Sequence, residues 1–456
     1  MNDSRHAPCN GGTIFIPPLL AAAHCPMNAT SASRRDDESA VAPPQPSHAE
    51  VRHFVAFSAG QGLSSVGTWM QKAGVGWLAW ELTHSAAWVG TMALADVFAA
   101  LIVAPLAGAV VDRHNPYRLL WLTQMLLLVQ AASLWLLYAT GILDIGLLLA
   151  LTIIESILQG FCQPVRMIVT GTLAGPARMS QGVATNSIAM NLARITGPAL
   201  AGVLMLHGQT GLVFLGNAAS FLSVLAVTVY VRRWIDQAAA PSGKSIGRDI
   251  AQGFEYVVST PAIAMVFVVA VSFSVLARPF AELFPAFAGV VFQGGPQTLS
   301  MLMSAQGAGA LIGAGWMLRT RPGLDTLPRI ILWSGIGIAV ALLVFVATGD
   351  LRVAVPAMVV AGLFHVTCNI GMQSLAQLRA EPAMRGRVMA LYGLVFRTAP
   401  SLGAFIIGQG THWIGLSWLV GSGALAYGLF MLRLMPRLYR ALGVPVAAVQ
   451  TQGSAS

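Results

Sequence analysis

Charge is scarce in this 456-residue chain. Acidic and basic residues together make up 9% of it, against roughly 25% in a soluble domain. With 56% hydrophobic residues and a mean hydropathy of +0.70, that scarcity excludes a soluble globular fold. Lysine is scarcer still, present only at Lys72 and Lys244, an arginine bias that points to a GC-rich bacterial genome. The four cysteines are Cys9, Cys25, Cys162 and Cys368. Two fall in a polar tail and two inside apolar runs, which excludes a disulfide framework and a metal-ligand spacing. No metal and no other cofactor is expected. Strict apolar–polar alternation is missing, which excludes a β-barrel. Ser242-Gly243-Lys244-Ser245 has the tail of a phosphate-binding loop but lacks the upstream glycine and the preceding strand. There is no Gly-x-Ser-x-Gly, no zinc-binding His/Glu pattern and no Asp-rich prenyl-diphosphate motif, so no enzyme signature is present.

Long apolar runs fill the chain instead. Twelve windows, each long enough to cross ~30 Å of hydrocarbon as a helix, fall at 54–79, 87–110, 118–138, 143–164, 181–206, 211–231, 261–289, 298–318, 328–348, 353–376, 388–411 and 415–434. An all-α integral membrane protein follows, with six-helix bundles over 51–231 and 261–435. The polar stretch 232–260 is a cytoplasmic linker between them, and 436–456 is a cytoplasmic tail. Residues 1–50 are rich in Ser, Ala, Pro and His and are expected to be a disordered cytoplasmic tail. The apolar run Thr13 to Ala23 is short and holds Pro17 and Pro18, a poor signal peptide. Met27 is an alternative start.

The net charge of +9 is unevenly placed. Alternate loops hold Arg52, then Arg113 and Arg118, then Arg166 and Arg178. Next come Arg232, Arg233, Lys244 and Arg248, followed by Arg319, Arg321 and Arg329. Arg379, Arg385, Arg387, Arg433, Arg437 and Arg440 complete the set, and the opposite loops hold essentially Arg352 alone. The positive-inside rule therefore puts both termini in the cytoplasm. Topology accounts for the basicity, so nucleic acid is not an expected partner and the lipid bilayer is.

An ionisable side chain in hydrocarbon costs at least ~2.5–3.5 kcal/mol and needs a reason. Such groups are Lys72 (first span), Asp96 (second), Glu155 (fourth), Arg194 (fifth), Arg278 and Glu282 (seventh), His365 (tenth) and Arg397 (eleventh). Asp96, Glu155 and Arg194 lie roughly 15 Å deep at 1.5 Å per residue. A carboxylate there changes its proton affinity according to whether an Arg stands beside it, which is what proton coupling requires. The alternative for each is a static ion pair between helices. Arg278 and Glu282, four residues apart, are expected to pair locally, and His365 to make a helix–helix hydrogen bond or shuttle protons. Cations in this set outnumber carboxylates, which tilts the cargo towards anionic or catecholate molecules.

The halves echo each other. Arg194-Ile-Thr-Gly197-Pro198-Ala-Leu-Ala-Gly202 in the fifth span parallels Arg397-Thr-Ala-Pro400-Ser-Leu-Gly403 in the eleventh, and Cys162 parallels Cys368. Matching Gly/Pro-interrupted spans are the mark of a two-repeat transporter. Between the second and third spans, charges crowd one tight turn. Gly108-x-x-x-Asp112-Arg113, followed by Pro116 and Arg118, resembles the signature loop of major facilitator superfamily transporters. Gly197-Pro198-x-x-x-Gly202 resembles the helix-five signature of exporters in that superfamily, with Ala201 where Gly is common. Ala59 to Gln71, Gln163-Pro164-Val165-Arg166, Asn186 to Gly202 and Arg385-Gly386-Arg387-Val388-Met389 are similar to the branch containing the enterobactin exporter and macrolide efflux pumps. The likeness covers nearly all of residues 51–435.

The resemblance implies a major facilitator fold of twelve helices in two pseudo-repeats. In that fold helices three, six, nine and twelve face lipid, and none of the charges above lies deep in those four. It implies a monomeric secondary transporter in the bacterial inner membrane. Alternating access would export a small amphipathic molecule, such as a siderophore or drug, against protons. Gly108, Asp112, Arg113, Arg118 and Arg166 are then the cytoplasmic gate, with Asp112 also facing the positive N-terminal end of the eleventh helix near Arg387. The corresponding second-half loop has Arg319 where the Asp would fall, so one strong latch is expected. Glu155 and Asp96 are the proton-coupling candidates. Lys72, Arg194, Arg278, Glu282, His365 and Arg397 are the cavity candidates, and Gly197, Pro198 and Gly202 form a kink. The rival readings are a proton-driven nutrient importer and a membrane-integral enzyme or sensor. For the latter no extramembrane segment is long and foldable enough.

Overall fold

The structure is a computed structural model and describes residues 48–98, 103, 107, 110, 114–175, 179–235 and 246–441. The side chain of Asp96, all of Gly108, Asp112 and Arg113, and the two terminal segments 1–47 and 442–456 lie outside the described residues. The first half runs α1 (His48–Thr83), α2 (Ala86–Phe98), α3 (Pro116–Ala139), α4 (Ile145–Ala174), α5 (Met179–Leu206) and α6 (Thr210–Tyr230). The second runs α7 (Pro261–Val291), α8 (Pro296–Thr320), α9 (Leu327–Ala347), α10 (Leu351–Arg379), α11 (Arg385–Gly410) and α12 (Leu416–Ala441).

Among the described residues, nine helices are long and apolar enough to cross a membrane: α3, α4, α6 and all six of the second half. α2 and α5 contribute shorter apolar stretches, Ala86–Ala95 and Leu192–Leu206. α1 is 36 residues long, and its apolar run is diluted by Gln61, Ser64, Ser65, Gln71 and Lys72. Caps fix several starts. Asn115 accepts from the N–H groups of Tyr117 and Arg118 ahead of Pro116, Asp144 accepts from Leu147 N, and Asp350 accepts from Arg352 N. Each satisfies donors that a helix start leaves free.

Packing repeats between the halves. In the first, α1 packs on α5 and α6, α3 on α4 and α6, and α2 on α4. In the second, α7 packs on α11 and α12, α9 on α10 and α12, and α8 on α10. Moving six helices along the chain converts one set into the other. The same operation exchanges the two main contacts between halves, α2 with α11 and α5 with α8. Both are close approaches that small residues permit. A Cβ on Gly90 would sit 2.5 Å from the carbonyl oxygen of Ala404, and one on Gly202 would overlap the side chain of Ser300. These contacts lie toward the end of the bundle that carries the α1–α2 turn, here called the distal end. α1 and α7 meet at the same end, where a Cβ on Gly76 would lie 3.0 Å from Pro285 and one on Gly289 would overlap the Trp80 ring. A depression of about 480 Å³ opens there, lined by Thr83, Ser85, Ala87, Trp88, Thr91, Gln409 and His412.

Three segments depart from the expected pattern. α4 continues ten residues past its expected end at 164, through Pro164, to Ala174. The linker, expected only to be polar, contains a helix, Ile246–Ser259, that packs on α11. α7 is broken where a continuous span was expected. It passes through a π-turn at Phe273–Ala277, a tight 3-10 turn at Pro279–Ala281 and a second π-turn at Phe287–Val291. Pro279 and Pro285 remove two backbone donors from this stretch, and proline is the usual cause of such breaks. Phe273, Phe280, Phe284, Phe287 and Phe345 fill the space around it as buried rings.

Candidate transport site

The first half is threaded by a buried polar chain. Gln71 of α1 is fully buried, as is Asn217 of α6, and Gln130 of α3 is nearly so. Backbone groups within α1, α3 and α6 satisfy one another, so these amides must satisfy themselves, because an unpaired polar group in hydrocarbon costs several kcal/mol. Asn217 Nδ2 donates to Gln71 Oε1 at 2.8 Å. Gln71 Nε2 donates to Glu155 Oε2 on α4 at 2.8 Å and to Gln130 Oε1 at 3.3 Å. Gln130 Nε2 donates to the carbonyl of Leu151 on α4 at 3.2 Å, and Ser220 lies 3.2 Å from Asn217 Oδ1. Glu155 is the one ionisable member of this chain and is half-buried. The amides went unnoticed in the sequence because they carry no charge. Their only signal is that Gln71 directly precedes Lys72 and that Gln130 and Asn217 interrupt otherwise apolar runs.

Within each half the sequence-predicted cations meet aromatic rings. The Arg194 guanidinium of α5 stands 5.0 Å from the centre of the Trp69 ring on α1, and the Lys72 ammonium stands 5.6 Å from the same ring. The Arg278 guanidinium of α7 stands 5.4 Å from the Phe396 ring on α11 and donates to the Phe396 carbonyl oxygen. Tyr392 stacks on Phe396 at 4.7 Å and donates to Asn369 Oδ1 at 2.9 Å. Arg194, Arg278 and Glu282 interact electrostatically, and both arginines act on His365. The break in α7 replaces the regular i,i+4 geometry between Arg278 and Glu282, so the hydrogen bond of Arg278 goes to a backbone carbonyl. His365 differs from expectation as well. It is buried with its ring edge-on to Phe273 at 5.2 Å, and its Nδ1 has no hydrogen-bond partner among the described residues. Arg194 and Arg397 both keep exposed surface in this region.

The candidate gate residues that are described, Arg118, Arg166 and Arg387, sit toward the end opposite the distal contacts. Arg118 is exposed at the start of α3. Arg166 is buried within α4, where one terminal nitrogen lies 3.6 Å from Cys162 Sγ and Nε has no partner among the described residues. Arg387 opens α11, donates to Met384 Sδ at 3.1 Å, and lies under Gly253 of the linker helix. In α5, which runs through Pro198 as one helix, the Pro198 carbonyl accepts from Ser300 Oγ at 3.3 Å, which ties α5 to α8.

The sequence profile of the transmembrane secretion effector family matches residues 48–442. The staphyloferrin A transporter of Staphylococcus aureus (strain NCTC 8325 / PS 47) is 27% identical over 162 residues, 35% of this chain, and the match spans 41% of that transporter's length. YfiS of Bacillus subtilis (strain 168), an uncharacterised transporter of the major facilitator type, is 24% identical over 391 residues, covering 79% of this chain and 87% of YfiS. Among solved structures, a bacterial homologue of the human lysosomal transporter Spinster, inward-facing and unoccupied, superposes with a TM-score of 0.63 at 13% identity, covering 88% of this chain and 96% of that one. That last likeness concerns the fold.

Proposed function

We propose that this chain, which belongs to the transmembrane secretion effector family and is a multi-pass major facilitator transporter rather than an enzyme, exports a small amphipathic organic molecule in exchange for protons. The observation that carries this reading is Glu155. Its carboxylate faces the interior of the first half, held at 2.8 Å by Gln71 at the end of an amide chain that joins α6, α1, α3 and α4. A carboxylate fixed in that way can take up and release a proton without the surrounding helices losing their polar contacts. Asp96 is the second coupling candidate. Lys72, Arg194, Arg278, Glu282, His365 and Arg397 line the cargo path, and the cargo is a siderophore-like or drug-like molecule.

The gate is formed by Gly108, Asp112, Arg113, Arg118, Arg166 and Arg387. Arg166 supports this, because its buried guanidinium has an Nε without a partner among the described residues and a buried guanidinium needs an anionic partner; Asp112 is our candidate for it. The distal contacts at Gly90 and Gly202 close the bundle at that end. With the arginine-rich end in the cytoplasm, the closed end is the periplasmic one, and the protein works as a monomer in the bacterial inner membrane. Alternating access then rocks one half against the other about the midplane site.

Everted membrane vesicles with an acid lumen test direction and coupling together. A panel of labelled catecholate, polycarboxylate and macrolide compounds should contain one that accumulates in the lumen and is released by a protonophore. Accumulation that requires an alkaline lumen would establish import instead.

A further inference from the structure

The contact between α1 and α7 defines a pseudo-two-fold axis residue by residue. A Cβ on Gly197 of α5 would meet the Val66 carbonyl and the Met70 nitrogen of α1, each at 2.8 Å. A Cβ on Gly403 of α11 would meet the Val275 carbonyl at 2.8 Å and Pro279 Cγ at 2.5 Å on α7. One shift along the chain carries Val66 onto Val275 and Met70 onto Pro279. The same shift carries Gly76 onto Pro285 and Trp80 onto Gly289, and those equivalent residues touch each other, as they must on a two-fold axis. It also carries Trp69 onto Arg278.

The equivalence exposes an exchange of roles. In the first half the ring is on α1 (Trp69) and the guanidinium on α5 (Arg194). In the second the guanidinium is on α7 (Arg278) and the ring on α11 (Phe396). Each half therefore presents one guanidinium seated on one ring, on opposite sides of the axis. Each guanidinium lies over its ring, at 5.0 Å and 5.4 Å, a contact that occupies none of the forked N–H donors by a conventional hydrogen bond and so keeps them for a planar oxyanion. Arg278 uses one donor on the Phe396 carbonyl, and a guanidinium has five. Tyr392, stacked behind Phe396, extends the aromatic wall. The charges of Arg194 and Arg278 act on each other, and Glu282 is a single carboxylate acting on both. A positive excess stays on the axis.

We propose that these two seats bind one ligand carrying two carboxylate-type anions on an apolar or aromatic body. One anion goes to Arg194 and the other to Arg278, with the body crossing the axis between Trp69 and Phe396. Two forked guanidinium–carboxylate pairs relieve the repulsion between the arginines, and the rings cover the body. This deepens the export reading by naming the cargo class, and rests on it only for the direction in which the ligand moves.

The test is calorimetric titration of the purified full-length protein in phosphatidylcholine nanodiscs at neutral pH, with terephthalate, benzoate and terephthalamide as probes of the same shape and decreasing charge. Terephthalate should bind at least tenfold more tightly than either of the others. Arg194→Gln and Arg278→Gln should each reduce terephthalate to the level of benzoate, and Glu282→Gln should tighten it severalfold by removing the competing carboxylate. If Arg278→Gln does not fold, Arg278→Lys keeps the charge, removes the fork and should lose most of the dianion preference. Equal affinities for the three probes, tightest binding of terephthalamide, no saturable binding of terephthalate, or a preference unchanged in Arg194→Gln would each overturn the proposal. Failure of proton coupling or of outward transport would appear in the vesicle experiment and leave this charge ladder intact.

Discussion

Gln71 joins Glu155 to Asn217: its amide nitrogen donates to the carboxylate at 2.8 Å while its oxygen accepts from Asn217 at 2.8 Å. One α1 side chain therefore ties α4 to α6, and its two ends have different consequences. Gln71→Leu leaves Asn217 Nδ2 and Gln130 Oε1 buried without this partner, at about 1–3 kcal/mol for each orphaned group. A clear fall in melting temperature is expected in detergent.

Glu155→Gln should do the reverse. The neutral amide still accepts from Gln71, so the melting temperature changes little. Uphill export driven by an imposed pH gradient should be lost, while downhill exchange stays measurable in proteoliposomes. If Glu155→Gln, Asp96→Asn and the double variant all still export in response to the gradient, protons travel by another route.

Gly202 gives a conformational prediction. Any side chain at this position collides with Ser300, so Gly202→Leu should drive α5 away from α8 at the distal end. Spin labels on cysteines replacing Leu206 and Gln297, both exposed, should report a longer mean distance in Gly202→Leu than in the parent, with transport slowed severalfold. An unchanged distance distribution would show that the glycine is not holding the closed contact.

How much of this was legible in the sequence depends on the kind of signal. Helices announced themselves through length and apolarity, and most observed ends fall within a few residues of the windows. Charges in hydrocarbon announced themselves through their cost, and Arg194, Arg278, Glu282 and His365 do interact. Register between the repeats was misread. The sequence echo pairs Arg194 with Arg397, whereas packing pairs Gly197 with Gly403, about one helical turn out of step. Proline and glycine are frequent in membrane helices, so a short Gly/Pro motif aligns in more than one way, and only contact with α1 and α7 selects among them. The break in α7 was hidden because Pro279 and Pro285 sit in a mostly apolar stretch long enough to cross as one helix, in which Arg278 and Glu282 are the only charges. The amide chain through Gln71 was hidden because its members are separated by 59 to 146 residues and carry no charge.

Asp112→Asn tests the gate. It should impair transport strongly while leaving membrane insertion and melting temperature close to the parent, since the residue falls outside the apolar windows of the sequence. Arg166→Gln should impair transport similarly. If the two form the proposed gate contact, the double variant should be no worse than either single one. Additive losses would mean that the two residues act separately.

The linker helix packs beside Arg387, one of the proposed gate residues. Gly253 lies against α11, where a Cβ would come within 3.1 Å of Arg387 Cβ and 3.2 Å of Leu391 Cδ1. Two residues on from Phe254, which is exposed, Tyr256 OH accepts from the Glu381 N–H at 3.1 Å. The helix therefore grips both the start of α11 and the turn that precedes it. Gly253→Leu should lift the helix off α11 and displace Arg387, lowering transport without unfolding the bundles. Tyr256→Phe removes one hydrogen bond worth about 0.5–1.5 kcal/mol and should have a smaller effect in the same direction. Faster proteolytic cleavage between residues 232 and 260, in the order Gly253→Leu, then Tyr256→Phe, then parent, alongside falling transport in the reverse order, is the expected pattern. Faster cleavage with unchanged transport would separate the linker helix from the gate and leave it as a simple tether between the halves.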